Sequence, residues 1–275
     1  MRIQRYLDHN GDVQFGACGT DGKLTRIRGE IYGQYLETEE LVESEKILAP
    51  IEPTQIICIG LNYRKHAQEA GAAIPEYPVV FSKGINTIQH PGDPIMLPTY
   101  AGSDEVDYEC ELGVVIGKEC KNVQPDDALS SVLGYTAVND VSARDWQFKW
   151  SGGQWTRSKM FDTFCPIGPV LTTPETIPDP NNLRISTTIN GQIMQDWTTA
   201  DMIFDVKTII SYLSQSTTLP PGTLILTGTP HGVGMGRVPP RWLRDGDIVT
   251  IEVEGIGKLT NPVRLESNES NHTAI

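Results

Sequence analysis

Two glutamates separated by a single residue are the first feature of this sequence that can do chemistry. Glu109 and Glu111 lie in the segment VDYECELGVVIG, which has the apolar character of a strand. Side chains two residues apart on a strand point to the same face, so the two carboxylates repel each other unless a cation or a proton lies between them. Oxygen ligands suit a hard divalent ion such as Mg2+ or Mn2+. A solvated edge strand with its charges facing water is the alternative.

Asp140 and Lys159 can extend such a site. The strand that begins at Tyr135 ends at Asn139-Asp140, and an aspartate at a strand end can complete a three-carboxylate site with the two glutamates. As an isolated residue before Val-Ser-Ala-Arg, Asp140 can instead cap a following helix. Lys159 follows a glycine-rich loop, and its ammonium can neutralise a substrate carboxylate or enolate. The alternative for Lys159 is a solvated surface charge.

His66 and Glu69 form a third candidate group, in the segment LNYRKHAQEAG. Residues three apart share a face of a helical turn, so the carboxylate can orient the imidazole and stabilise its charged form. The same residues are also explained by a capped surface turn that ends at Gly71. Both interpretations stay open on these residues alone.

The glycine-rich segment LTGTPHGVGMG follows a strand and superficially resembles a dinucleotide-binding loop. Pro239 and Pro240 come where a helix should begin, so a nicotinamide-dependent oxidoreductase is disfavoured. A turn that exposes Thr229 and backbone N–H groups to an anionic ligand fits the segment better. The sequence has no G-x-S-x-G motif, and nothing local supports a serine nucleophile.

The elements that must position these residues are mostly strands. From Thr54 onward short apolar runs alternate with Gly and Pro, which predicts a mainly β (α+β) fold with few helices. The dipeptide Asn190-Gly191 predicts a hairpin. Apolar residues at helical spacing predict one helix from about Asp201 to Gln215.

The chain is expected to divide near residue 50. Residues 1–50 are predicted to form a small N-terminal β-rich region, residues 51–265 one catalytic domain, and residues 266–275 a polar tail. The boundary follows an acidic stretch and the two prolines Pro50 and Pro53. Strands in the first region are predicted at Ile3–Leu7, Val13–Cys18 and Leu24–Arg28.

Composition excludes several classes of protein. The formal net charge of −13 argues against a nucleic-acid partner, and an anionic substrate therefore needs local positive charge. No apolar run reaches the length of a membrane span, and the N-terminus lacks a signal-peptide core. The five cysteines lack CxxC spacing and are expected to be reduced thiols. The cytoplasm is the expected location, with the mitochondrion as the alternative.

Seven segments together resemble the fumarylacetoacetate hydrolase family. They occur in the family's order and span roughly residues 50 to 264. The resemblance implies a mixed β-roll or barrel-like catalytic domain, assembled as a homodimer. The segments are GLNYRKHAQEAG, PVVFSK, VDYECELGVVIGK, GYTAVNDVSARDWQ, GGQWTRSKMFDTFCPIGP, MIFDVKTIISYLSQ and LILTGTPHGVG.

The resemblance also implies roles for individual residues. It implies Mg2+ or Mn2+ as the cofactor and suggests the branch of the family that contains oxaloacetate tautomerases. Ser158 departs from the glycine that relatives often have before the lysine, and is expected to narrow the pocket or alter the lysine's reach. The implied metal ligands are Glu109, Glu111 and Asp140, the catalytic residues are His66, Glu69 and Lys159, and the substrate contacts are Gln147 and Thr229.

These roles imply an enzyme acting on a small anionic 2-oxo or 1,3-dicarbonyl acid through an enolate held at the metal. Proton transfer alone gives keto–enol tautomerisation of oxaloacetate, and loss of carbon dioxide gives its decarboxylation. Water attack gives C–C hydrolysis of an acylpyruvate or fumarylacetoacetate, which is the alternative within the family. A non-catalytic, metal-stabilised binding protein is the alternative from another class.

Overall fold

Strands dominate the structure. A computed structural model describes residues 1–19 and 21–267. Over those residues the chain forms nineteen strands. In chain order they are β1 (Arg2–Leu7), β2 (Val13–Cys18), β3 (Leu24–Gly29), β4 (Tyr35–Val42), β5 (Lys46–Ile47), β6 (Gln55–Gly60), β7 (Val79–Lys83), β8 (Ile88–Gln89), β9 (Ile95–Leu97), β10 (Val106–Asp107), β11 (Cys110–Ile116), β12 (Val132–Asn139), β13 (Ser142–Ala143), β14 (Cys165–Thr172), β15 (Arg184–Ile189), β16 (Gln192–Thr198), β17 (Thr223–Leu226), β18 (Ile248–Val253) and β19 (Gly257–Leu265).

Helices are few and short. The same described residues contain four α-helices, and none of them is long and apolar enough to cross a membrane. The α-helices are α1 (Arg64–Glu69), α2 (Pro125–Ala128), α3 (Arg144–Phe148) and α4 (Val206–Ser214), and 3-10 turns lie at Ile85–Thr87, Leu129–Ser131, Thr156–Lys159, Thr199–Asp201 and Gly234–Gly236.

The strands form two main sheets. The larger sheet has twelve strands, in the order β4-β3-β2-β1-β14-β12-β11-β17-β6-β7, with β5 beside β1 and β8 beside β14. The smaller has five, in the order β16-β15-β18-β19-β9, and β10 pairs separately with β13. The predicted mainly β fold with few helices is confirmed, and the sheets do not close into a barrel.

The N-terminal strands continue the large sheet through the pairing of β1 with β14. The three strands predicted in this region correspond to β1, β2 and β3. The structure adds β4, whose residues are mostly exposed and partly acidic, so it lacks the apolar alternation that marks a strand in sequence. The division at residue 50 stays a prediction. Residues 268–275 of the predicted tail lie outside the described residues.

Local turn and cap chemistry explains two element boundaries. Asn190 and Gly191 have φ values of 52° and 79° between β15 and β16, as a tight hairpin turn requires, and the predicted hairpin is confirmed. The predicted start of the long helix at Asp201 is wrong. The side chain of Asp205 accepts a hydrogen bond from the Thr208 N–H at 2.9 Å, which caps α4 and starts it at residue 206.

Alternation along β11 places it between two cores. Leu112 and Val114 pack into the larger core, which includes residues of the small sheet. Val115 points to the opposite face and packs into a second core that includes the N-terminal strands. Glu109 and Glu111 each lie an even number of positions along the chain from Val115. Their side chains therefore point to the same face as Val115, at the start of the strand.

Ile225 tests the energetic weight of this packing. It is fully buried on β17, where it lies opposite Val114 of β11 and Ile57 of β6. We expect Ile225→Ala to lower the free energy of unfolding by about 2–5 kcal/mol, because the strands around the cavity cannot collapse freely. Urea denaturation measures the change.

The matched control is Ile193→Ala on β16, where the side chain is 56% exposed. We expect a change within about 0.5 kcal/mol for this variant. If Ile225→Ala and Ile193→Ala lowered the free energy of unfolding equally, Ile225 of β17 would not be a core residue.

Candidate active site

Pairing of β11 with β12 brings three carboxylates together. The antiparallel register places Cys110 opposite Asn139, and the Asp140 N–H donates to the carbonyl oxygen of Glu109 at 2.9 Å. Glu109 and Asp140 therefore lie across from each other, with Glu111 two residues along the same face. One carboxylate oxygen from each of the three residues lies within 4.8 Å of the other two.

The alternatives for these carboxylates do not fit the structure. Glu109, Glu111 and Asp140 are 5%, 2% and 0% exposed. β11 pairs with β12 on one side and with β17 on the other, so it is not an edge strand. Asp140 caps no helix, because α3 begins after Ala143.

Two buried lysines contact these carboxylates. The Nζ atom of Lys159 lies 2.8 Å from Glu109 Oε2 and 2.7 Å from Asp140 Oδ2. The Nζ atom of Lys83 lies 2.6 Å from Asp140 Oδ1, although β11, β17 and β6 lie between the strands that lead to these two residues. The large sheet must therefore curl strongly. Lys159 is 2% exposed and is not the solvated surface lysine that the sequence left open.

Arg144 links the carboxylates to a neighbouring loop. Its Nε donates to Asp107 at 2.9 Å, one terminal nitrogen donates to Glu109 at 2.6 Å, and the other donates to Gln147 Oε1 at 2.8 Å. Asp107 also accepts backbone hydrogen bonds from residues 234 and 235, at 2.7 and 3.1 Å. These three hydrogen bonds fix the guanidinium. Because the oxygen of the Gln147 amide is engaged by Arg144, its NH2 group can donate to another partner.

Negative charge exceeds positive charge in this cluster. Four buried carboxylates face three buried cations, so one carboxylate has no cationic counterpart. Burial raises the pKa of Glu109, but Lys159 and Arg144 more than offset it and hold the pKa well below its usual range. Burial lowers the pKa of Lys159, but Asp140 and Glu109 raise it above its usual range, so it stays an ammonium. The carboxylates are Asp107, Glu109, Glu111 and Asp140, and the cations are Lys83, Arg144 and Lys159.

Glu111 is the carboxylate without a cationic partner among residues 1–19 and 21–267. It accepts a hydrogen bond of 2.7 Å from the Gly228 N–H, and no described lysine, arginine or histidine pairs with it. Burial and then the neighbouring Asp140 and Glu109 raise the pKa of Glu111 well above its usual value. A set of three oxygen donors with this unbalanced charge fits a hard divalent cation.

The histidine–glutamate pair lies on α1. His66 is 8% exposed, and its Nδ1 atom lies 3.0 Å from Glu69 Oε2. The other oxygen of Glu69 accepts a hydrogen bond of 2.8 Å from the Gly232 N–H. Burial raises the pKa of Glu69, but these two hydrogen bonds and the His66 charge outweigh it and lower the pKa. The side chain also packs so closely on Gly236 that a Cβ there would lie 2.5 Å from Glu69 Cδ.

One cavity of about 230 Å³ collects the residues that the sequence singled out. Asp140 and Glu69 are the exceptions, since they do not line the cavity but contact Lys159 and His66, which do. The polar part of the lining includes His66, Glu109, Glu111, Arg144, Gln147, Lys159 and Thr229. The apolar part includes Ile59, Phe81, Phe148, Trp155 and Met235.

Sequence reasoning missed Lys83, Arg144 and Asp107. A signal for Lys83 was its place two residues after Phe81 at the end of a strand, since both side chains share one face. No comparable signal marks Arg144, because Asp107 and Glu109 come from a distant segment. Ser158 does not line the cavity, and its hydroxyl donates to the Trp155 carbonyl oxygen at 2.6 Å. The expected narrowing of the pocket by Ser158 is therefore absent.

Comparison with known proteins gives a consistent result. Residues 55–264 match the sequence model of the fumarylacetoacetate (FAA) hydrolase C-terminal family. The fumarylacetoacetate hydrolase domain-containing protein 2 homolog of Dictyostelium discoideum is 54% identical, over 81% of this chain and 75% of that protein. A Xenopus laevis protein named oxaloacetate tautomerase fahd2, mitochondrial, is 48% identical, over 79% of this chain and 68% of that protein.

A solved structure extends the likeness to the fold. The crystal structure of 5-carboxymethyl-2-hydroxymuconate delta-isomerase from Mycobacterium smegmatis superimposes with a TM-score of 0.83 and 40% sequence identity. The superposition covers 97% of this chain and 100% of that one. The N-terminal strands are therefore included in the structural likeness, although the family match begins only at residue 55.

Asp107→Asn tests whether the buried ion pair stabilises the site. We expect the free energy of unfolding to fall, but by less than the roughly 3–5 kcal/mol of a fully unpaired buried charge, because Arg144 keeps Glu109 as a partner and burial already raises the pKa of Asp107. As a control, Asp196→Asn removes an exposed carboxylate that pairs with Arg184, and we expect almost no change. Urea denaturation of both variants measures the difference, and similar effects would contradict the role of burial.

Proposed function

Because the chain belongs to the fumarylacetoacetate hydrolase family and is an enzyme, we propose that it interconverts the keto and enol forms of a small 2-oxo diacid of the oxaloacetate type with Mg2+ or Mn2+. One observation carries the proposal: Glu109, Glu111, Lys159 and His66 line one cavity, and Asp140 and Glu69 contact Lys159 and His66 from outside the lining. The name of the frog relative supports the substrate class. A non-catalytic binding protein leaves the lysine and the histidine pair without a purpose.

Glu109, Glu111 and Asp140 are the proposed ligands of the metal ion. A bound divalent ion supplies Lewis acidity, which withdraws electrons from the oxo group and makes the neighbouring carbon more acidic. The three carboxylates fix the charge of this end of the cavity. The ammonium of Lys159 adds positive charge beside them and stabilises negative charge that develops on the substrate oxygen.

Arg144 and Gln147 are the proposed residues that orient the substrate. The guanidinium of Arg144 is held by Asp107, Glu109 and Gln147, and it keeps further N–H groups that can donate to a carboxylate. The NH2 group of Gln147 adds a neutral donor, because its oxygen is already committed to Arg144. Together these donors select an anionic acid in a protein with a net charge of −13.

His66 and Glu69 are the proposed proton-transfer pair. The ionised Glu69 carboxylate only accepts hydrogen bonds, so the Nδ1 atom of His66 carries a proton, and in the neutral imidazole Nε2 is the atom with the free lone pair. Nε2 takes a proton from the carbon beside the oxo group and returns it to the enolate oxygen. No atom is gained or lost in this exchange, as tautomerisation requires.

C–C hydrolysis of an acylpyruvate is the second candidate. It is favoured by the apolar part of the lining, which includes Phe81, Trp155 and Met235 and which a four-carbon diacid does not need. Decarboxylation of oxaloacetate uses the same anchoring groups. An assay panel with Mn2+ separates these reactions, because enol absorbance reports tautomerisation, pyruvate alone reports decarboxylation, and a released carboxylic acid reports hydrolysis.

Location and assembly remain proposals. The frog relative's name assigns that protein to mitochondria, so a mitochondrial location stands beside the cytoplasmic one expected from the sequence. A homodimer is proposed from the family alone.

Glu111→Gln is the sharpest test of the metal site. Glu111 forms no ion pair among the described residues, so the variant leaves Lys83, Lys159 and Arg144 with their partners. We expect Mn2+ affinity to fall at least about tenfold, or about 1.4 kcal/mol, and tautomerase activity to fall with it. Titration calorimetry measures the affinity, and Asp145→Asn, on a buried carboxylate outside the cluster, should keep it.

Metal-free stability separates loss of the ligand from misfolding. The pKa of Glu111 is raised by folding, so its ionisation costs stability only above its ordinary value of 4.5. Without metal, Glu111→Gln should therefore be at least as stable as the wild type at neutral pH, and the difference should vanish in acid. Unchanged Mn2+ affinity in this variant would remove Glu111 from the ligand set.

His66→Ala should uncouple proton transfer from metal binding. We expect turnover to fall about a hundredfold or more, since a general acid–base group is lost, while Mn2+ affinity stays within about twofold of wild type. Glu69→Gln should be milder, because the imidazole remains. The control is Gln68→Ala, an exposed position on the same helix, which should leave turnover unchanged. If His66→Ala kept the wild-type turnover, His66 and Glu69 would have only a structural role.

A further inference from the structure

Gln195 lies on β16 of the small sheet, is 1% exposed, and has every polar atom engaged. Its Oε1 atom accepts from the Cys110 N–H at 3.0 Å and from the Thr187 hydroxyl at 2.8 Å. Its Nε2 atom donates to Thr229 Oγ1 at 2.9 Å and to the Pro230 carbonyl oxygen at 2.8 Å. The side chain thus joins β11, which carries the carboxylates, to the loop that carries Thr229.

The direction of these hydrogen bonds is fixed by backbone groups. The Cys110 N–H can only donate, so it must face the amide oxygen of Gln195. The Pro230 carbonyl oxygen can only accept, so it must face the amide nitrogen. Rotating the amide by half a turn would place two donors together at one end and two acceptors at the other. The amide therefore always donates to the Thr229 hydroxyl oxygen.

A hydroxyl that accepts from Gln195 still has one proton to donate. Apart from the Cys110 thiol, no group among residues 1–19 and 21–267 takes the Thr229 proton. A thiol is ordinarily uncharged near neutral pH, and its sulfur is only a weak acceptor. Thr229 is 4% exposed and lines the cavity, which leaves the cavity as the place where its proton finds a strong acceptor.

We propose that Gln195 is a positioning residue that makes Thr229 an obligatory hydrogen-bond donor to an anionic oxygen of the substrate. The inference rests on the proposed function and deepens it. Thr229 is an uncharged donor, so it stabilises negative charge without adding a cation to a cluster that already contains three. Gln195 does not touch the substrate and acts only by fixing the direction of the Thr229 hydroxyl.

A double-mutant cycle tests this relation. Thr229→Val removes the hydroxyl with little change of shape, and we expect kcat for oxaloacetate tautomerisation to fall about a hundredfold, as for the loss of one fixed donor to an oxyanion. Gln195→Met should lower kcat about tenfold by leaving the hydroxyl free to turn. The double variant should be no slower than Thr229→Val, because Gln195 acts through Thr229. Thr229→Ser should retain most of the activity.

Thr187→Val is the matched control. It removes one hydrogen bond from the same buried amide, but the Cys110 N–H and the Pro230 carbonyl still fix its direction. We expect kcat within about twofold of wild type, whatever the change in melting temperature. Additive losses in the cycle, or a loss in Thr187→Val equal to that in Gln195→Met, would overturn the inference and reduce Gln195 to strand packing.

Gln195→Glu gives an independent measurement if Gln195→Met does not fold. Its ionised carboxylate can only accept, so it would draw the Thr229 proton away from the cavity, whereas its protonated form can still donate. The activity relative to wild type should therefore fall as pH rises. A ratio that is flat with pH would contradict the proposal.

Oxalate binding separates the inference from the proposed function. Calorimetry with Mn2+ and oxalate needs no turnover, and wild type should bind oxalate only with the metal. If wild type shows neither metal-dependent oxalate binding nor tautomerase activity, the proposed function falls and this inference with it. If wild type shows both and Thr229→Val matches it in both, the inference alone falls.

Discussion

Excess negative charge in a place with little water is the constraint around which the site is arranged. Four carboxylates are buried beside three cations, and buried charges persist only when they are paired or neutralised. The need to pair buried charges therefore explains the position of each cation, independently of any role in catalysis. A divalent ion would turn the remaining deficit into a small local surplus of positive charge. That reversal would let a strongly acidic protein hold an acidic substrate.

Two neutral amides, Gln147 in the cavity lining and Gln195 beside it, add hydrogen bonds without disturbing that balance. The oxygen of Gln147 is committed to Arg144, and the oxygen of Gln195 to the Cys110 N–H and Thr187. The NH2 group of Gln195 is engaged as well, by Thr229 and the Pro230 carbonyl oxygen. Hydrogen-bond direction is as strongly determined here as position, because a reversed amide would leave buried groups unsatisfied.

Sequence patterns predicted what depends on neighbours along the chain. The spacing of Glu109 and Glu111 predicted a shared face, and Asn190-Gly191 predicted the hairpin. The partners that come from distant segments were missed. Lys83 reaches Asp140 only because the sheet curls across three intervening strands, and no local pattern encodes that curl. The predicted start of α4 at Asp201 is wrong for a local reason, because the side chain of Asp205 caps the helix and starts it at residue 206.

The position of Lys83 on the outermost strand of the sheet affects how firmly the charged site is held together. β7 pairs with β6 and ends the strand order, and edge strands open more readily than central ones. Fraying of β7 would withdraw the cation of Lys83 from the site, together with Phe81, which packs into the second core. The three carboxylates would then repel each other more strongly and spread apart. The charge balance of the site therefore depends on a strand that is paired on one side only.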